Sequence, residues 1–301
     1  HAPCEVELFL PNELKHFQIA TGLPSKSLVK GRFTLKGDNY DQLIDSPFEL
    51  AEQSRFSFEA NGIPHEFVIS GQHNTNLERL KTDIEKICQT EINMFGSAPF
   101  QNYTFMTMAT GNSYGGLEHC NSTSLITPRD DLPKADEAEE PSKDYQRFLG
   151  LCSHEYFHSW LVKFIRPENF ANYDLQKEGY TSLLWIFEGF TSYYDDLILL
   201  RSGVISQTSY LELLKAQIDR YLQNPGRAIQ SVSESSFDAW IKFYRQDENS
   251  NNAGTSYYNK GSLVALCLDL GLRLRGSSLD AVMRRLYENA QQGIQVNERT
   301  I

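Results

Sequence analysis

His154-Glu155-Tyr156-Phe157-His158 is the stretch that decides how this chain folds and what chemistry it can support. Residues four apart on a helix stack on one face, so the two imidazoles can reach a single ion. Glu155 follows the first histidine, where its carboxylate can lean toward a water molecule beside that ion. The spacing is typical of a zinc peptidase, and we expect one Zn²⁺ ion at this helix.

A catalytic zinc site needs a third protein ligand, because two histidines alone hold the ion poorly. Two glutamates compete for this role, Glu178 and Glu188. Glu188 is favoured, since it lies within a run of large apolar residues where an unpaired carboxylate would be costly to bury. Asp195 lies two turns further along the same helical face and is predicted to accept a hydrogen bond from a ligand imidazole, with its neighbour Asp196, or neither residue, as the alternatives.

The composition excludes several classes of partner. The 301 residues carry a net charge of -11, with a pI near 5.2, which argues against nucleic acid or an anionic membrane as a partner. Seven of the carboxylates lie in residues 130–144, which we interpret as a solvated loop. No apolar run reaches the roughly 18 residues that a membrane helix needs, so membrane insertion is not expected.

The cysteines give a weak indication of the compartment. They are scattered, odd in number and without a CxxC pair, which favours buried free thiols over disulfides: Cys4, Cys88, Cys120, Cys152 and Cys267. This favours a reducing, cytoplasmic compartment. The chain begins without methionine, and we expect it to be part of a longer protein, which leaves a periplasmic location open.

The pattern of apolar residues predicts an α+β fold. Short strand-like runs separated by turn formers fill the first 70 residues, and helical spacing dominates after residue 145. We predict a remnant of a β-rich N-terminal domain over 1–50, a catalytic domain over 51–205 and a helical subdomain over 206–301. The predicted helices are 76–95, 145–164, 182–201, 208–222, 258–274 and 279–290. Gly203 is predicted as a C-terminal helix cap, and Ser277 or Ser278 as the N-cap of the last helix.

Four separated motifs carry a resemblance to a known family. They are Gly115-Gly116-Leu117-Glu118-His119, residues 154–160, Trp185-Ile186-Phe187-Glu188-Gly189-Phe190-Thr191 and Tyr258-Asn259-Lys260-Gly261. Their order is similar to that in gluzincin metallopeptidases, and together they most resemble the glycyl aminopeptidase family, whose members often carry a PDZ domain. The resemblance implies a thermolysin-like catalytic domain that follows a β-rich N-terminal part.

The chain departs from the pattern of the related aminopeptidase N-type zinc peptidases in two places. Gly-Gly-Leu-Glu-His stands where those enzymes have Gly-x-Met-Glu-Asn, and the segment between His158 and Glu188 is longer. Both departures point toward the glycyl aminopeptidase family. The longer segment also keeps Glu178 open as the third ligand.

The resemblance also implies roles for residues outside the zinc motif. Glu118 matches the glutamate that binds the free α-amino group of the substrate, and Gly115 and Gly116 belong to the same substrate-binding strand. Tyr258 matches the tyrosine that donates a hydrogen bond to the developing oxyanion. Its neighbour Tyr257 is the alternative for that role.

These observations predict a zinc aminopeptidase that acts on peptides with a free N-terminus, with Glu155 as general base. By family resemblance the residue removed is small, glycine or alanine. The alternatives are an endopeptidase of the same fold and a peptide-binding protein whose peptidase site is weakly active. A PDZ domain beyond Ile301 is a further expectation from the resemblance.

Overall fold

A computed structural model describes residues 2–171 and 173–299. The chain divides into two compact units, His1–Gln89 with Ala98–Ser159 and Thr90–Ser97 with Trp160–Ile301. The fold is α+β, as predicted, with strands concentrated in the N-terminal part and helices in the C-terminal part. The division into three parts at residues 50 and 205 stays a prediction.

The described residues of the first unit form three sheets. Their strands are β1 (Cys4–Phe9), β2 (Gln18–Thr21), β3 (Ser25–Val29), β4 (Arg32–Gly37), β5 (Phe48–Ala51), β6 (Gln53–Ala60), β7 (Ile63–Ser70), β8 (Tyr103–Thr110), β9 (Gly115–Glu118) and β10 (Ser122–Pro128). The largest sheet has the order β6-β7-β8-β10-β9, and its parallel pairs are β7 with β8 and β8 with β10. The antiparallel strand β9 therefore forms one edge.

The helices of the first unit are α1 (Tyr40–Ile44), most of α2 (Leu77–Phe95) and α3 (Lys143–Phe157). Ser142 caps α3 by accepting a hydrogen bond from the backbone N–H of Tyr145. Aromatic side chains hold α3 against the sheet, with Tyr156 stacked on Phe105 and hydrogen-bonded through its hydroxyl to Nε2 of His65 at 2.9 Å. Burial lowers the pKa of His65 to about 4, so this contact is made by a neutral ring.

The predicted helix over 145–164 is wrong at its C-terminal end. Helix α3 ends at Phe157, and His158 is its C-cap residue. Val162 has a φ of 101°, outside the helical region, and its N–H donates to the carbonyl of Ile165. A closed turn therefore replaces the last predicted turns of the helix, which periodicity alone could not reveal.

The predicted solvated loop over 130–144 is only partly correct. Asp131 is buried, and burial raises the pKa of its carboxyl group. Arg79 of α2 donates hydrogen bonds to the carbonyls of Ala138 and Glu139 at 2.7 and 2.8 Å. The segment is therefore anchored to α2 through its backbone.

The cysteine prediction is correct for pairing and only partly correct for burial. All five cysteines are free thiols. Cys88 and Cys152 are buried, whereas Cys120 and Cys267 are exposed. Exposure of two thiols contradicts the expectation that all of them lie in the core.

The second unit contains the C-terminal end of α2 and the remaining helices. These are α4 (Glu168–Ala171), α5 (Leu184–Arg201), α6 (Gln207–Gln223), α7 (Val232–Phe237), α8 (Ser250–Ala253), α9 (Tyr257–Arg273) and α10 (Leu279–Gln291), with a π-helical turn at Ala239–Phe243. Gly203 has a φ of 71° just after α5, as predicted. Of the two serines predicted as the N-cap of α10, Ser278 is the one whose side chain caps the helix. No described helix is both long and apolar enough to span a membrane.

Candidate metal and peptide site

The predicted general base, Glu155, lies on helix α3 and against the edge strand β9. A Cβ atom added to Gly116 would lie 2.3 Å from Oε1 of Glu155 and 2.5 Å from its Cδ, far inside van der Waals contact. Glycine at position 116 therefore leaves the space that the Glu155 carboxyl group fills. Glu155 is only 5% exposed. Its carboxylate is therefore confined next to the backbone of β9.

The two histidines of the motif present their ring nitrogens to one point. Nε2 of His154 and Nε2 of His158 lie 3.1 Å apart, with the rings nearly perpendicular. Two nitrogens that bind one tetrahedral zinc ion at about 2.0–2.1 Å lie roughly 3.3 Å apart, so this spacing suits a shared ion. The first ring is half-buried and the second is buried, which limits their contact with solvent.

Glu118 lies at the end of β9, opposite Thr123 of β10 in the strand register. Ligand atoms of Glu118, Glu155 and His158 all lie within 4.8 Å of one another. The Glu118 carboxylate is thus present beside Glu155 and one ring of the motif. The position suits the predicted anchor for a substrate ammonium, since a carboxylate and an ammonium pair through charge-assisted hydrogen bonds.

Helices α5 and α9 of the second unit cross at two glycines. A Cβ atom on Gly189 would lie 2.6 Å from Cα of Gly261, and one on Gly261 would lie 2.6 Å from the carbonyl oxygen of Trp185. The helix backbones therefore touch where any side chain would separate them. Glu188 precedes Gly189, and Tyr258 lies one turn before Gly261, so the crossing brings both to the same end of the contact.

Tyr258 and Tyr257 begin α9 and stack with ring centroids 4.6 Å apart. Burial, with the charge of Glu188 next in importance, raises the pKa of Tyr258 far above its ordinary value. The pKa of Tyr257 is also raised, first by burial and then by Tyr244, with Glu188 a smaller contribution. Both hydroxyl groups therefore stay protonated and can donate hydrogen bonds at any ordinary assay pH.

His154 and His158 lie in the first unit and Glu188 lies on α5 of the second, and each side chain offers an atom that can bind a metal ion. Two imidazoles and one carboxylate are a donor set that zinc accepts in catalytic sites. The alternative ligand, Glu178, is exposed and precedes α5 outside any helix or strand. It belongs to no candidate metal group among the described residues.

The remaining predicted residue is Asp195, which is half-buried on α5. Its Oδ1 atom accepts a hydrogen bond from the backbone N–H of Asp196 at 2.6 Å. The predicted role of Asp195 as a hydrogen-bond acceptor for a ligand imidazole stays a prediction.

Tyr244 was missed by the sequence analysis, although its hydroxyl group lies 3.1 Å from that of Tyr258. No spacing pattern distinguishes it among fifteen tyrosines.

Two family models match the chain. The model described as M61 glycyl aminopeptidase matches residues 147–264, which include the zinc motif, all of α5 and the first part of α9. The model described as the Peptidase M61 N-terminal domain matches residues 1–52. A comparison with curated protein sequences found no match.

Solved structures show the same fold. An aminopeptidase N family protein from Idiomarina loihiensis is 46% identical with a TM-score of 0.96, and the match covers 99% of this chain and 52% of that one. An M1 zinc metallopeptidase mutant from Deinococcus radiodurans is 13% identical with a TM-score of 0.60, over 99% of this chain and 58% of that one. The chain therefore spans little more than half the length of these relatives.

Proposed function

Because this chain belongs to the M61 glycyl aminopeptidase family, we propose that it is a zinc-dependent aminopeptidase that removes a small N-terminal residue, glycine or alanine, from peptides. The observation that carries the proposal is the pair of imidazoles of His154 and His158, whose Nε2 atoms lie 3.1 Å apart. The zinc metallopeptidase fold of the structural relatives also supports it.

One zinc ion is held by His154, His158 and Glu188 in this proposal. When bound, it supplies Lewis-acid chemistry, polarising the scissile carbonyl and making water more acidic. Glu155 takes a proton from the attacking water and passes it to the departing amine. The Gly116 backbone supports this role because it leaves the carboxyl group its confined position. General acid–base catalysis of this kind contributes about a hundred- to ten-thousandfold.

Two other residues orient the peptide in this proposal. Glu118 pairs with the substrate's ammonium group and so sets the scissile bond one residue from the N-terminus. Tyr258 donates a hydrogen bond to the oxygen that becomes negative as the carbonyl is attacked. The pKa of Tyr258, which burial raises, supports a hydroxyl group that carries a proton and can donate a hydrogen bond. Gly115 and Gly116 belong to the edge strand β9, whose free backbone edge is proposed to pair with the peptide.

The experiment combines metal analysis with turnover of glycyl and alanyl chromogenic amides, before and after chelation. We expect about one zinc ion per chain, activity that is lost on chelation, and recovery when zinc is returned. Activity that survives complete removal of the metal would falsify the proposal.

Acetylation of the substrate N-terminus distinguishes an aminopeptidase from an endopeptidase of the same fold. An acetylated peptide has no ammonium to pair with a carboxylate, so we expect it to resist hydrolysis. Cleavage of free and acetylated peptides at equal rates would identify an endopeptidase. Peptide binding with stoichiometric zinc and no turnover would identify a binding protein. A PDZ domain beyond Ile301 stays a prediction.

A further inference from the structure

Tyr244 is an exposed aromatic residue of the second unit. It directly follows the π-helical turn Ala239–Phe243, and its backbone N–H donates to the carbonyl of Ala239. The residue is 61% exposed. Since most of this side chain lies in solvent, burial of its ring gives little reason for a tyrosine at this position. The exposed surface of the ring is therefore available for contact with a bound molecule.

The ring of Tyr244 is held from several sides. Its centroid lies 5.3 Å from that of Phe243, which it meets edge-on, and 6.2 Å from that of Trp240. Its hydroxyl oxygen lies 3.3 Å from the hydroxyl oxygen of Tyr257 and 3.1 Å from that of Tyr258. The backbone, the ring and the hydroxyl group are thus all in contact with neighbouring groups. The ring cannot swing away without losing these contacts.

This position is close to the reacting atoms of the proposed substrate complex. A hydrogen bond between two oxygens spans roughly 2.5–3.0 Å, so an oxyanion that accepts from Tyr258 lies within about 6 Å of the Tyr244 hydroxyl oxygen. The Cα atom of the N-terminal residue is bonded, at about 1.5 Å, to the carbonyl carbon that carries this oxyanion. A side chain on that Cα atom therefore begins within reach of Tyr244.

The size of that substrate side chain decides whether it fits beside a fixed ring. Glycine has no side chain and alanine has one methyl group, whereas leucine and phenylalanine must place several carbon atoms near the carbonyl. Forcing extra carbon atoms against a ring that is held in place is unfavourable. A ring at this position therefore admits a small N-terminal residue and excludes a large one.

We propose that Tyr244 is a specificity-determining residue, whose ring limits the N-terminal residue of the substrate to glycine or alanine. This inference rests on the proposed function, because it takes the Tyr258 hydroxyl as the donor to the oxyanion. It deepens that function by naming the side chain that sets the substrate class. The bulk of the ring carries the effect, and the contacts with Trp240 and Phe243 keep the ring in place when the hydroxyl group is removed.

The test is Tyr244→Ala, which removes the ring, assayed with glycyl, alanyl, leucyl and phenylalanyl chromogenic amides. We expect kcat/KM for the leucyl amide to rise, and its ratio to that for the glycyl amide to rise roughly ten- to two-hundred-fold, the discrimination that one methylene supports in an apolar pocket. Faster hydrolysis of a large substrate cannot come from partial unfolding, so it identifies the lost ring as the cause. An unchanged ratio would overturn the proposal.

Two controls isolate the bulk of the ring from other properties of the residue. Tyr244→Phe keeps the ring and removes the hydroxyl group, so its leucyl-to-glycyl ratio should match that of the wild type. Tyr180→Ala is the matched control, because it removes the ring of another exposed tyrosine, which stacks on Phe237 in the same unit. Its ratio should also match that of the wild type. A rise in either control as large as that in Tyr244→Ala would overturn the proposal.

Dipeptides that begin with glycine and differ in the second residue distinguish the two sides of the scissile bond. With alanine, leucine or phenylalanine in second place, we expect the same relative rates in the wild type and in Tyr244→Ala. A change confined to these dipeptides would place the ring beside the departing residue and overturn the proposal. Tyr244→Val, assayed with the same substrates, is a second way of removing the ring should the alanine variant fail to fold.

Failure of this inference is distinguishable from failure of the proposed function. A zinc-loaded wild-type protein that hydrolyses none of the four amides would remove the premise and the inference together. A wild-type protein that hydrolyses the leucyl and phenylalanyl amides as fast as the glycyl amide would still be an aminopeptidase. That result would overturn only the role of Tyr244 and the preference for small residues.

Discussion

Glu155 and Tyr258 are placed by opposite means. Glu155 lies in the first unit on a helix pressed against a sheet, and a missing side chain at Gly116 makes room for its carboxyl group. Tyr258 lies in the second unit at the start of a helix, beside a half-exposed tyrosine cluster. Packing thus fixes the position of the proposed base, Glu155, whereas the position of the proposed hydroxyl donor, Tyr258, depends on hydrogen bonds and on a close helix crossing.

This difference indicates which kind of substitution would disturb Glu155 and which would disturb Tyr258. Protein interiors tolerate added volume poorly, so one methyl group beside Glu155 displaces the carboxylate directly. The aromatic cluster can lose a hydroxyl and keep its packing. Substitutions near the base should therefore act through displacement, and substitutions near Tyr258 through smaller changes in orientation.

Replacing the base should give the largest effect. Glu155→Gln keeps the shape of the side chain and removes its capacity to take a proton, so we expect activity to fall about a hundred- to ten-thousandfold. Zinc content should stay at the wild-type level, because the proposed ligands are untouched. Steady-state kinetics with metal analysis checks both expectations.

The control for this substitution is Glu85→Gln, which changes an exposed glutamate on α2 of the same unit. Its activity should equal that of the wild type. Normal hydrolysis by Glu155→Gln would contradict the role of Glu155 as base, and loss of zinc from the variant would point to a structural cause instead.

Gly116→Ala tests whether the position of Glu155 depends on the missing side chain. The new methyl group would overlap the Glu155 carboxyl group, with Oε1 only 2.3 Å from the added Cβ. We expect kcat to fall roughly a hundredfold, since small displacements of a catalytic group can cost that much. Metal content should change little.

Gly111→Ala is the matched control, because a Cβ atom there meets no atom within 4 Å. It should leave kcat unchanged. If Gly116→Ala and Gly111→Ala both retain full activity, the carboxylate can move aside and still act, and packing does not fix the base.

Gly261→Ala should give the smallest effect on catalysis and a measurable one on stability. Its methyl group would lie 2.6 Å from the carbonyl oxygen of Trp185 and 2.9 Å from Cα of Gly189. Overpacking of this kind lowers the free energy of unfolding by about 1–3 kcal/mol. Separation of the helices should also lower kcat, by roughly tenfold or less. Denaturant unfolding and kinetics measure the two effects.

Gly271→Ala on the same helix provides the contrast. Its Cβ atom would meet nothing within 4 Å, and alanine favours helix over glycine, so stability should rise by up to about 1 kcal/mol. Equal stability of the Gly261→Ala and Gly271→Ala proteins would show that the crossing of α5 and α9 is not tight.

The sequence predicted the bounds of helices well where capping residues lie at their ends. The predicted helix 182–201 is α5 (Leu184–Arg201), and 279–290 is α10 (Leu279–Gln291), with Ser278 as its N-cap. Both ends are set by neighbouring residues, which a sequence displays directly. The prediction failed at the C-terminal end of α3. Val162, just beyond it, has a positive φ, and valine is not a residue that indicates such a conformation in a sequence.

The sequence by itself determined the pairing of His154 with His158 and the placing of Glu155 beside them, because helical periodicity brings residues four apart together. Only the tertiary structure decided that Gly116 makes room for Glu155, that Gly189 meets Gly261, and that Tyr244 reaches Tyr258. These contacts join residues far apart in the chain. Their physical basis is the close packing of separate elements, which no local pattern encodes.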